Sequence, residues 1–205
     1  MHANGGIPGA ASWLADQLAW PFQLLLPTNA VGAWLAVAFV AGATGRTILL
    51  GALRGLVALL AAVAAYYLLI RLLGEGIRPI GAAHAATVWG FAAAIAGPAL
   101  GAAGATWRLA RGWPRAISVA LLAAVLVAEG IAFGNARLIP WDGLAGDPGA
   151  ILLAVEALVG LVLPAILLAR GERLRGYAAL VAVAAGALVA IGPVVGMVRA
   201  LADQF

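Results

Sequence analysis

The chain has 205 residues, 65% of them hydrophobic and 10% charged, and a mean hydropathy of +1.07. Such values fall outside the range of soluble domains and inside that of polytopic membrane proteins. Every basic residue is Arg and Cys is absent, which excludes a retinal-type Schiff base on Lys, thiol redox chemistry, disulfides and thiolate metal sites.

The only histidines are His2 and His84, so paired-His ligation of haem or zinc within one chain is not expected, and neither a metal nor a cofactor is implied. The net charge of +4 reads as Arg-rich cytoplasmic loops rather than as a nucleic-acid surface. No loop is long enough for a P-loop or Rossmann module.

Residues 1–11 are Gly-rich and lack the basic region of a cleaved signal peptide. Residues 12–26 are apolar but carry Asp16, Gln17 and Pro21, with Trp13 and Trp20 suited to the headgroup level. They predict an interfacial or re-entrant helix; the alternative is an additional, seventh span over 7–26. Pro27-Thr28-Asn29 is a helix-entry signal, and a first helix follows over about 30–44. After a Gly45-Arg46 turn comes the apolar tract 47–73, whose one interior charge is Arg54. That tract is long enough to cross ~30 Å of hydrocarbon, and it anchors the whole reading. Gly and Pro break the chain at 74–80, and further helices are predicted over 81–107, 115–134, 150–169 and 174–201. The expected fold class is an all-α integral membrane protein: six transmembrane helices plus the N-terminal segment. It forms a single transmembrane domain over 1–205, with 1–26 interfacial and 27–205 the bundle.

Orientation follows from Arg placement. With six spans, Arg46, Arg108, Arg111, Arg115, Arg170, Arg173 and Arg175 lie at one end, and Arg71, Arg78, Arg137 and Arg199 at the other. The richer end is cytoplasmic by the positive-inside rule, which places both termini outside the inner membrane.

Between helices in lipid there is no hydrophobic drive, so close backbone approach must hold the bundle. The small-xxx-small pairs Gly51/Gly55, Gly97/Gly101 and Gly192/Gly196 are the candidate contacts. IAGPALG at 95–101 also resembles AIGPVVG at 190–196, on helices of opposite direction, as an inverted repeat would have it.

In order, the chain shows Asn29 before a Trp34-containing first helix, Tyr66-Tyr67 in the second, Gly97-Pro98 in the third and Glu129-Gly130 in the next. Over 27–134 this pattern resembles a family of uncharacterised small multi-pass bacterial membrane proteins. The resemblance implies the polytopic architecture and no particular activity. The N-terminal segment is more polar than the span the family would place there.

A charge in hydrocarbon costs ~2.5–3.5 kcal/mol or more, so each is a candidate for function. Arg54 lies ~10 Å in from the cytoplasmic end, within snorkelling reach of a lipid headgroup. Glu129 and Glu156 are too short to snorkel; counted along their helices, both sit ~8–9 Å below the outer surface. His84 and Arg71 fall near that surface, so the four residues make a candidate outward-facing site for a substrate or ion. The opposing reading satisfies each Glu separately, by a backbone group or by Arg137. Two carboxylates close together in low dielectric cannot both stay ionised, and Gln at either position is expected to preserve the fold. Ser118 has no His near it in sequence, which argues against an intramembrane serine protease and against an enzyme in general.

The leading functional expectation is a small transport or solute-binding membrane component using this polar site. The alternative is a non-catalytic structural or accessory subunit of a larger membrane complex. The expected partners are membrane lipid and other membrane-protein subunits, not nucleic acid.

Overall fold

The computed structural model describes residues 31–73, 79–136 and 148–202. They form six α-helices: α1 (Val31–Ala43), α2 (Ile48–Leu73), α3 (Pro79–Leu109), α4 (Trp113–Ala136), α5 (Pro148–Leu167) and α6 (Arg173–Ala202). A 3-10 turn, Arg170–Glu172, precedes α6, and no strand occurs among the described residues. The N-terminal segment 1–26 lies outside the described residues, so the choice between interfacial helix and seventh span does too.

Three helices are long and apolar enough to cross a membrane: Ile48–Leu68 within α2, Ala86–Leu109 within α3, and Trp113–Gly130 within α4. Val31–Ala43 and Ala154–Leu167 are apolar but shorter. Large hydrophobic side chains such as Leu49, Val57, Phe91, Ile95 and Ile166 are exposed around the bundle, as expected where lipid rather than water is the solvent.

The helix α1 is the centre of the first half. It packs on α2, α3 and α4. Its Leu35, Ala38 and Phe39 are buried with Leu59 of α2, Ala93, Leu100 and Ala103 of α3, and Leu122 and Leu126 of α4. Packing is close because the crossing points carry no side chains. A Cβ at Gly97 would lie 2.8 Å from the Leu56 Cα, and one at Gly101 would lie 2.8 Å from the Gly55 Cα. Gly42 and Gly51 face the Gly101 backbone in the same way. Thus Gly51, Gly55, Gly97 and Gly101 meet at one α2–α3 crossing, with α1 pressed against it. Gly192 and Gly196 fall in the part of α6 whose side-chain surroundings are not described.

The second half is organised by α4, which packs on both α5 and α6. Ala120, Ala123 and Ala124 of α4 are buried with Ala179 and Leu180 of α6. The two halves differ in one respect. Among the described residues α2 and α3 share the most extensive contact in the molecule, whereas their counterparts in an inverted repeat, α5 and α6, barely touch.

At the Arg-rich end, the α3–α4 and α5–α6 connections are tied together by Glu172. It accepts from the Gly112 amide and pairs with Arg115 at 3.8 Å. Gly112 turns the chain with φ +67°, a conformation that favours glycine. Trp107 Nε1 donates to the Leu167 carbonyl at 3.0 Å, closing the C-terminal end of α5.

Candidate functional site

With 13 residues, α1 is ~20 Å long, too short for ~30 Å of hydrocarbon. Its first amides and last carbonyls have no partner within the helix, and side chains of other helices take several of them. They do so at both ends. At the N-terminus, Glu129 of α4 takes the Val31 amide on Oε1 at 2.6 Å and the Gly32 amide on Oε2. At the C-terminus, Arg108 of α3 donates to the Ala43 carbonyl at 2.7 Å. Arg54 of α2 donates to the Thr44 carbonyl and hydroxyl, at 2.5 and 2.6 Å. An anion at the N-terminus and two cations at the C-terminus match the helix dipole, each interaction being worth ~0.3–2 kcal/mol in partly buried settings.

This geometry gives Arg54 a role that its spacing did not show. Its guanidinium reaches back along α2 to the end of α1, and it is a cap on the neighbouring helix as well as a residue at headgroup depth. Gly32 is equally specific: a Cβ there would lie 2.8 Å from Glu129 Oε2, so only glycine leaves room for the carboxylate.

Glu156 of α5 joins Glu129. Gly160 packs on α4 with its Cβ position 2.7 Å from the Ala123 carbonyl. One turn nearer the helix start, Glu156 reaches the level of Glu129. Both acids are buried, at 6% and 8% exposure. Glu156 Oε2 is buried without a hydrogen-bond partner among the described residues. The other members of the predicted polar cluster do not join them among the described residues. Arg71 is exposed at the end of α2, the His84 side chain is not described, and Arg137 lies outside the described residues. Ser118 donates to the Pro114 carbonyl one turn back at 2.7 Å, an ordinary intrahelical bond.

The feature that sequence reasoning missed is a groove of about 580 Å³, including its open mouth, between α1, α2 and α3. Trp34, Tyr66, Tyr67 and Trp89 form much of its wall, with Val31 at the end where α1 meets Glu129. Trp34 and Tyr66 pack edge to face at 5.4 Å, and Tyr66 and Tyr67 at 5.2 Å. Neither acid lines it. The signal was present in the sequence as Trp34 and Tyr66-Tyr67, which stood there only as residues carrying the family resemblance. Joining them to Trp89 needed the α2–α3 crossing.

A protein-family profile matches residues 3–199, nearly the whole chain. The chain belongs to the DUF6518 family, a family of unknown function. That bears out the resemblance drawn from Asn29, Trp34, Tyr66-Tyr67 and Gly97-Pro98, and extends it past the region 27–134. No curated protein and no solved structure is significantly similar to this DUF6518 chain.

Proposed function

We propose that this DUF6518 member is a non-catalytic multi-pass protein of the inner membrane. It acts as a solute-binding or transport component that takes the hydrocarbon chain of a membrane-borne amphiphile into the aromatic groove. In this reading all six helices cross or enter the bilayer, the Arg-rich end faces the cytoplasm and both termini lie outside.

The supporting observation is the groove itself. Its wall is aromatic and aliphatic, the surface that a hydrocarbon chain meets without losing hydrogen bonds. Along α3 its rim is apolar as well: Val88 and Phe91, beside Trp89 and Ala92, are both exposed. A water-soluble ligand would have to pass an apolar rim to an apolar wall, whereas a chain already in lipid would not. Aromatic edges and faces add ~0.5–1.5 kcal/mol per contact beyond area burial.

The test is photolabelling in nanodiscs with a phospholipid carrying a diazirine on its acyl chain. Labelling should concentrate at Trp34, Tyr66 and Trp89 over lipid-facing Leu49 and Ile166, and Trp34→Ala should lower groove labelling about tenfold, equivalent to ~1.4 kcal/mol. Equal labelling at groove and lipid-facing positions would remove the reading. The accessory-subunit alternative would then take its place. That alternative draws on Gly90 and Gly186, where an added Cβ would meet no atom within 4 Å, as a face open to a partner helix would require.

Orientation has its own test on this Cys-free chain. A Cys replacing Arg111, which is exposed in the α3–α4 turn, should stay unlabelled by a membrane-impermeant maleimide applied to intact cells. It should react once the membrane is permeabilised. Labelling in intact cells would reverse the assignment.

A further inference from the structure

Both oxygens of Glu129 accept backbone N–H groups. A carboxylic O–H turned toward either amide would confront a donor with a donor, so these two bonds favour the carboxylate form of Glu129. Glu156 lies at the level of Glu129 on the helix packed against it, is more than nine-tenths buried, and has an oxygen with no partner among the described residues. A second carboxylate there would be desolvated and repelled, and the neutral acid avoids both penalties.

We propose that Glu129 and Glu156 form a proton-binding site, with Glu129 as the fixed carboxylate and Glu156 as the group that takes a proton from water and returns it. The structure further points to coupling between this proton and the aromatic groove, which rests on the groove reading above. The link is α1. Its first amides bind Glu129, while Val31, Trp34 and Leu35 line the groove. Ionising Glu156 adds a second negative charge against Glu129, strains its grip on α1, and loosens the wall that α1 provides.

Among the described residues, the surrounding elements offer little competing charge. α1 carries no charged residue, α5 contributes only Glu156, and the other charge on α4, Arg115, sits at the opposite end with Glu172. On α3, Arg108 is at that same far end, and the described part of α6 brings only Arg173 and Arg175 there. On α2, Arg54 is committed to the far end of α1 and Arg71 is exposed. His84 and Arg199 are the titratable or charged groups on α3 and α6 whose side chains are not described.

Two readouts on the full chain in nanodiscs test this. Infrared difference spectra between neutral and alkaline pH should show the carbonyl band of a protonated carboxyl disappearing as pH rises, and Glu156→Gln should lack that band. Groove labelling by the diazirine-chain phospholipid should fall severalfold over the same rise in pH. In Glu156→Gln it should stay high and flat, since the amide is neutral like the protonated acid. Glu156→Met should also label at a high, flat level, which guards against a fault particular to the amide. Survival of the band in Glu156→Gln overturns the proton site. An unchanged pH dependence of labelling in both variants overturns the coupling. If Trp34→Ala labels as strongly as the parent, the groove reading and the coupling fall together, while the infrared band still decides the proton site.

Discussion

Gly101→Leu is expected to prevent the first half of the bundle from closing, with a loss of more than ~3 kcal/mol, the upper end of ordinary overpacking. A Cβ at this position would lie 2.8 Å from the Gly55 Cα and 3.0 Å from the Gly55 nitrogen, with the Gly51 carbonyl oxygen nearer still. These are backbone atoms, so no side-chain rotation relieves the clash. The two helices must part, and α1, which packs on both through Gly42, must move with them. A loss of that size should lower the melting temperature by roughly 10 °C for a chain of this length, taking the scaling of soluble domains. Gly90→Leu is the matched control on the same helix, because an added Cβ there meets nothing within 4 Å. The measurement is thermal unfolding in detergent. If Gly101→Leu melts with the parent, α2 and α3 are not held by this crossing.

Glu129→Ala is expected to be the most damaging loss of a polar side chain. It would leave the part-buried Val31 amide and the buried Gly32 amide without their acceptor. Each buried donor left unmade costs about 1–3 kcal/mol, so the pair amounts to ~2–6 kcal/mol. Glu129→Gln should fall between Ala and the parent. One oxygen still accepts, but the amide NH₂ now faces a second N–H, and the charge that matches the α1 dipole is gone. The two bonds at Glu129, set against a Glu156 oxygen with no partner among the described residues, lead us to expect Gln to be tolerated better at 156 than at 129. Thermal stability together with hydrogen exchange at the first turn of α1 would separate the variants. A Glu129→Gln protein that matches the parent in both would mean that the Glu129 charge does not hold α1.

Composition and hydropathy were enough to establish a helical protein suited to lipid, and the Gly, Pro and Arg breaks located all six helices, because an apolar run long enough to cross a bilayer has few other uses. The burial of Glu129 and Glu156 was also legible, since a short acid inside an apolar helix has few places to go. The family was legible from Asn29, Trp34 and the tyrosine pair. The span count was not, because α1 and α5 are short and their depth depends on their neighbours. What each charge does was hidden as well. Glu129 meets Val31 from 98 positions away and Arg108 meets Ala43 from 65; no local pattern encodes such a pairing. The aromatic groove likewise unites Trp34, Tyr66, Tyr67 and Trp89 from three helices. Its shape follows from how closely Gly55 and Gly97 let α2 and α3 approach. Helix formation in lipid depends on the residues within a segment, whereas caps and cavities depend on which segments become neighbours, and that was decided only by the tertiary packing.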